Sequence, residues 1–208
     1  MPRPANPSTR SKLLKAAFAV IRAKGYAATT VDDICAEAGL SKGFFVSPVP
    51  QQGSPCRLRR AALRSQTTGA FFKDAAYHDA DAPLERVVGC VAFRKELIQG
   101  ARSEFTCLVG TMTQQAYGTS PAIQEACWDS ISGHAATLVP DIEAAMRRHG
   151  IEADWTAESL ALHTQALTPG AFILAKASSD PQRAVESIDH LSRYIEGLFG
   201  ASAPPKKG

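Results

Sequence analysis

The sequence predicts an all-α protein of about nine helices: a small three-helix head at the N-terminus and a larger helical bundle behind it. Three observations carry that expectation. Apolar residues recur at steps of three and four in almost every segment, and no alternating apolar–polar run of strand length is present. Hydroxyl residues precede several of these stripes and glycines follow them, which are the start and stop signals of helices. The chain of 208 residues is 45% hydrophobic and 21% charged, enough apolar material for a real core.

In chain order, Leu14, Ala17, Phe18 and Ile21 form the stripe of a first helix, opened by Ser8 or Thr9 and closed at Gly25. Val31, Ile34 and Ala38 form a second stripe, with Thr29 or Thr30 as N-cap and Asp32 and Asp33 in the first turn, where the helix dipole favours acids. Gly39 is the natural left-handed residue after it, and Ser41 caps a third helix. Downstream, Gln66 to about His78 reads as helical. The linker DADAP precedes a helix from Pro83 to about Gly100, with proline at its first position. Glu104–Tyr117 is shorter and apolar. Ser120–Gly150 is long, and its interior Pro140 predicts a kink or break. Thr156–Ala177 is strongly apolar and carries Pro169 and Gly170 in mid-pattern, a second expected break that would open a mobile pocket wall. The last helix, Asp180–Phe199, has Ala184, Ile188, Leu191, Ile195 and Leu198 at steps of three and four, and a disordered tail is expected over 201–208.

Composition narrows the function classes. Residues 1–64 hold eleven Lys and Arg against three Asp and Glu, net +8, whereas the remainder is net −5. A basic head on an acidic body is the footprint of a nucleic-acid-binding module joined to a non-binding domain. The five cysteines are scattered with no CxxC spacing, so neither a disulfide framework nor a metal site is indicated, and buried thiols are the expected role. No apolar run reaches membrane-spanning length and no signal-peptide core is present, which places the expected compartment in the cytoplasm. No HExxH, GxSxG or phosphate-binding glycine loop occurs, so an enzyme is not expected, and no cofactor or metal is called for.

The stretch GYAATTVDDICAEAGLSKG, from Gly25 to Gly43, reads as the core of a helix-turn-helix. With Gly25, Tyr26, Thr30, Val31, Ile34, Ala38, Gly39, Leu40, Ser41, Lys42 and Gly43 in order and spacing, the chain resembles the tetracycline-repressor (TetR) family of bacterial transcriptional regulators. The resemblance implies an all-α homodimer that binds double-stranded operator DNA and responds to a small effector, by loss of binding where the regulator is a repressor. It implies a DNA-binding domain over 1–65, an effector and dimerisation domain over 66–200, and the tail. The head's packing independently aims the helix beginning at Ser41 outward. Its free amides, with Ser41, Lys42 and Gly43, can approach phosphates and base edges, and Thr29 or Thr30 can bond a phosphate. The resemblance further implies an apolar effector cavity, for which Phe93, Phe105, Met112, Trp128, His134, His163 and Phe172 are the candidate residues, core packing being the alternative role of each. It places the dimer contact on the last two helices, with Leu167, Ile173, Ile188, Leu191 and Ile195 as candidates; the same stripe would equally serve inward packing.

The resemblance stops just after Gly43. The chain continues FFVSPVPQQGSPCRLRRAALR, in which Pro48, Pro50, Gly53 and Pro55 are poor helix residues. Read one base later, the possible codons of this stretch can spell Tyr-His-any-Phe-Pro-Ser-Lys-Glu-Ala-Leu-Ala-Val, the family pattern at the family spacing. Residues 44–64 are thus either translated in a shifted frame between two compensating single-base changes or a divergent proline-rich loop. A head impaired in this way leaves a second functional reading, a helical ligand-binding or scaffold protein.

Overall fold

The computed structural model describes residues 7–40, 72, 74–96, 98 and 107–200. Among them are seven α-helices, one 3-10 helix and no strand: α1 (Pro7–Lys24), α2 (Val31–Ala38), the 3-10 helix Ala76–Asp79, α3 (Pro83–Glu96), α4 (Leu108–Ala116), α5 (Pro121–His149), α6 (Ala157–Ser178) and α7 (Gln182–Leu198). The all-α class is as expected. Seven α-helices, against about nine expected for the whole chain, lie among the described residues; the third head helix, most of the helix expected from Gln66, and the tail lie outside them. The chain divides into two compact units, Met1–Thr67 with Thr106–Ser130, and Thr68–Phe105 with Ile131–Gly208.

In the first unit α1 carries two apolar faces. Leu13, Ala16 and Ala17 pack with Ile34 of α2, and Ala38 and Leu40 lean on this cluster. Phe18 and Ile21, two positions round the helix, pack instead with Leu108, Met112 and Ala116 of α4 and with Ile123, Ala126 and Cys127 at the start of α5. The steps between helices rest on turns that the local sequence dictates. Gly25 and Gly39 sit at φ 86° and 65°, a left-handed backbone that residues with a Cβ resist. The Gly39 amide reaches back to the last carbonyls of α2, and the Leu40 amide donates to the Cys35 carbonyl at 2.9 Å, closing the helix end.

In the second unit Leu84, Val87, Cys90 and Val91 of α3 face inward, as do Ala184, Ile188, Leu191 and Ile195 of α7 and much of α6. Arg86 of α3 donates to Asp141 of α5 at 2.7 and 2.9 Å, and Lys95 pairs with Asp189 of α7 at 2.7 Å. α6 opens with a reciprocal cap in which the Thr156 hydroxyl accepts from the Ser159 amide and the Ser159 hydroxyl oxygen accepts from the Thr156 amide, each at 3.1 Å. It closes on Ser179 at φ 58°.

Both expected proline breaks are corrected. α5 runs unbroken through Pro140, and α6 runs unbroken through Pro169. A helix-interior proline removes one amide donor and crowds the preceding turn, but buried neighbours on either side keep the helix registered: Leu138 and Ile142 in α5, Thr168 and Ala171 in α6. The expectation that Pro169 and Gly170 open a pocket wall therefore falls with the break.

Candidate functional site

The helix-turn-helix is built on one cap. Thr30, not Thr29, is the N-cap of α2: its hydroxyl oxygen accepts from the Asp33 amide at 3.2 Å, while the Asp33 carboxylate accepts from the Thr30 amide at 2.8 Å. Lys24, at the end of α1, pairs with the same carboxylate. That pairing, followed by the bonds from Thr30, holds the Asp33 carboxyl well below the usual carboxylate range. Thr29 is turned inward and donates its hydroxyl to the Gly25 carbonyl at 2.6 Å, within the α1–α2 turn. The outward threonine, the one left facing solvent, is Thr30. Ser41, Lys42 and Gly43 lie outside the described residues, as does the whole of 44–64.

A third contact supports this turn from outside the motif. The side-chain carbonyl of Gln115, near the end of α4, accepts from the Tyr26 amide at 2.6 Å and from the Ala27 amide at 3.1 Å. Nothing in the sequence marks Gln115, because its partners are backbone groups almost ninety positions earlier.

The residues named for an effector cavity separate. Met112 belongs to the buried cluster of the first unit, and Trp128 projects into solvent, one position beyond the buried Ala126–Cys127 pair. His163 is exposed on α6, its ring 5.5 Å from that of Tyr194. Phe172 is buried, and Phe105 lies outside the described residues. Two do come together: Phe93 of α3 and His134 of α5 both meet the ring of Phe72, edge-on, at 5.2 and 4.5 Å between centres. Sequence reasoning missed their polar neighbours Arg94, Thr164, Gln165 and Thr168. The signal was present, since Arg94 continues the stripe Leu84, Val87, Val91 at steps of three and four, and Thr164 and Thr168 continue Leu160 and Ala161. Arg94 donates to the Thr168 hydroxyl and to the Gln165 carbonyl oxygen. Burial, and then the charge of Arg94, lower the pKa of His134 to about 4, so its ring is neutral at pH 7.

The dimer candidates also separate. Ile188, Leu191 and Ile195 are all buried within their own chain, at most 3% exposed. They serve its core, the alternative role of that stripe. Leu167 and Ile173 are exposed, and Leu174 and Tyr194 join them on the outer side of the last two helices. A groove of about 360 Å³ lies beside Leu174, lined also by Ala177, Arg183, Glu186 and His190.

With this geometry in place, the comparisons decide the family. Residues 13–46 match the model described as bacterial regulatory proteins of the tetR family, and residues 83–186 match that of the LmrA/YxaF-like transcriptional regulator C-terminal domain. The chain belongs to the TetR family. The TetR head match ends at residue 46, three residues beyond Gly43, after which the resemblance in the sequence stops. The fold agrees with that of TetR regulators from Rhodobacter sphaeroides (22% identity, TM-score 0.74, covering 89% of this chain and 98% of that one) and Chloroflexus aurantiacus J-10-FL (21%, 0.75, 90% and 94%). A TetR-family regulator from Agrobacterium tumefaciens is similar at 17% identity, with a TM-score of 0.77 and coverage of 91% and 99%. Among curated protein sequences none matches this chain. The protein is thus a transcriptional regulator with a DNA-binding helix-turn-helix. No described helix is long and apolar enough to cross a membrane, and no described group of three or more metal-ligating side chains could hold a metal ion.

Proposed function

We propose that this TetR-family regulator is a repressor that binds double-stranded operator DNA as a homodimer and is released by a small hydrophobic effector. The observation that carries the reading is the α1–α2 pair, which has the capped, glycine-turned geometry a helix-turn-helix needs to present its next helix to the major groove. In this reading residues 1–65 bind DNA, with Thr30, Ser41, Lys42 and Gly43 at phosphates and base edges. Residues 66–200 hold the effector and the partner subunit, residues 201–208 form a tail, and neither enzyme activity nor a cofactor takes part. The test is a gel shift with DNA flanking the protein's own gene, repeated with a small-molecule panel. Saturable retardation, weakened by Lys42→Ala and reversed by at least one compound, is the expected result. Retardation that no compound changes would leave a DNA-binding protein and remove the effector.

The second reading, a helical ligand-binding protein with an impaired head, is favoured by one observation: the head match ends at residue 46, inside the proline-rich run. The nucleotide sequence of codons 43–66 and a gel shift on two chains separate the readings. The frame account expects compensating single-base changes, and expects a chain recoded to the shifted peptide to bind where the present one does not. Codons that encode the present peptide, together with tight operator binding by it, would reject both the frame account and the impaired head.

A further inference from the structure

The α1–α2 turn, on which the helix-turn-helix depends, is held from two sides. From within, the Gly25 amide donates to the Ile21 carbonyl at 2.8 Å, the Thr29 amide to the Tyr26 carbonyl at 3.2 Å, and the Thr29 hydroxyl to the Gly25 carbonyl at 2.6 Å. From outside, two adjacent amides, those of Tyr26 and Ala27, converge on the side-chain oxygen of Gln115 at 2.6 and 3.1 Å. The approach is close: a Cβ at position 25 would lie 3.0 Å from the Gln115 side-chain nitrogen. Gln115 stands at the end of α4, one position before the buried Ala116. Leu108, Met112 and Ala116 of that helix pack with Phe18 and Ile21 of α1, and Tyr26 leans on the same cluster. α4 therefore grips α1 along an apolar face and, through Gln115, at the turn where α1 ends. All of these residues belong to the first unit.

Folding does not require the outer contact. Gln115 and Ala27 are exposed and Tyr26 is half-buried, so water would take both amides in its absence at a small net loss. What the contact supplies is geometry. The turn joins α1 to α2, and the angle across it decides where the chain after Gly39 is aimed at the groove. A turn free to change shape holds the binding geometry for only part of the time, and apparent affinity falls by that fraction. Holding a recognition element in its bound shape raises affinity without adding any contact to the ligand. We propose that Gln115 is a positioning residue for DNA recognition: its side-chain oxygen latches the α1–α2 turn to α4 and keeps the head in its DNA-binding geometry. This rests on the operator-binding reading above and adds to that site a residue outside the helix-turn-helix, acting through the turn and not on the DNA itself.

The test uses the full chain and a labelled DNA fragment flanking its own gene, with affinity read by fluorescence anisotropy. Gln115→Ala should bind about five-fold more weakly, one net hydrogen bond expressed as affinity. Gln115→Glu keeps an acceptor at the turn and should regain most of the loss, whereas a carboxylate placed at a phosphate contact would repel the DNA and bind more weakly than alanine. Gln114→Ala, at the exposed neighbouring position, should bind as the natural chain does. Circular dichroism should show each variant folded, and amide exchange at Tyr26 and Ala27 should be faster in Gln115→Ala. If Gln115→Ala does not fold, Gln115→Met keeps the side-chain length without the acceptor and should show the same loss. Unchanged affinity in the folded variant overturns the proposal. So does a glutamate variant that binds no better than alanine. Where only the chain recoded over 44–64 binds DNA, the variants are made in it. No binding by either chain removes the operator-binding reading and the latch's role together, whereas binding that is indifferent to Gln115 removes the latch alone.

Discussion

Single side chains in this protein do work that their type does not advertise. Gln115 closes two amides of the α1–α2 turn with one carbonyl oxygen. Gln115→Ala returns both amides to water, and since the site is solvent-accessible the loss should be about 1 kcal/mol, read as a lower urea midpoint at unchanged slope. Gln115→Glu keeps an acceptor in place and should recover most of it; equal losses in both variants would show that the bonds are not what matters. His134 makes a second, sharper case. Burial and the Arg94 charge hold its folded pKa near 4, against an ordinary value near 6.5. Above pH 7 the ring is neutral in both states and contributes no pH dependence. As pH falls below about 6.5 the unfolded chain takes up the proton first, so stability drops until the folded ring also titrates near 4. The full loss is on the order of 3 kcal/mol across that window. Urea titrations at pH 7 and pH 4.5 should show a steeper decline for the natural chain than for His134→Gln; parallel declines would mean that His134 is not the group responsible.

At the scale of elements, α2 shows why local signals are legible and α5 shows why they mislead. The span Val31–Ala38, its Thr30 cap and its Gly39 turn all follow from side chains that act within four residues of themselves, so one sequence suffices to read them. Pro140 and Pro169 carry an equally local penalty, but it competes with packing that the sequence does not display. Leu138 and Ile142, with Thr168 and Ala171, are buried on either side and hold both helices through the defect. The proline penalty should then still be present as strain. Pro140→Ala, at an exposed position, restores the missing donor and removes the ring clash, and it should raise stability by about 1–3 kcal/mol, after allowance for the greater freedom of the unfolded chain. A calorimetric midpoint that stays level or falls would show that the helix is adapted to its proline. Arg94 was hidden for a related reason. Its position on the α3 stripe was visible, but an arginine near a helix end reads as a solvated cation until a neighbouring helix is seen to cover it.

At the scale of the whole molecule, the stripe of α7 was visible and its partner was not. Ala184, Ile188, Leu191 and Ile195 repeat at steps of three and four whether they meet their own chain or a second copy, and periodicity alone carries no information about which. The structure turns these residues inward and leaves Leu167, Ile173, Leu174 and Tyr194 outward on α6 and α7, a set of large apolar side chains on neighbouring helices. The proposed two-headed repressor would need an isologous contact, and among the described residues this outer face offers apolar area for one. The two sets predict opposite outcomes for the same kind of substitution. Ile173→Asp or Leu174→Asp places a charge on an exposed face, so each chain should remain helical and lose its partner, giving monomer mass by light scattering. Ile188→Asp buries an unpaired carboxylate among apolar neighbours, a loss of several kcal/mol, and should unfold the subunit itself by circular dichroism. If Ile188→Asp instead yields folded monomers while Ile173→Asp and Leu174→Asp remain dimeric, the inward stripe of α7 is the true contact and the outer face of α6 is ordinary surface.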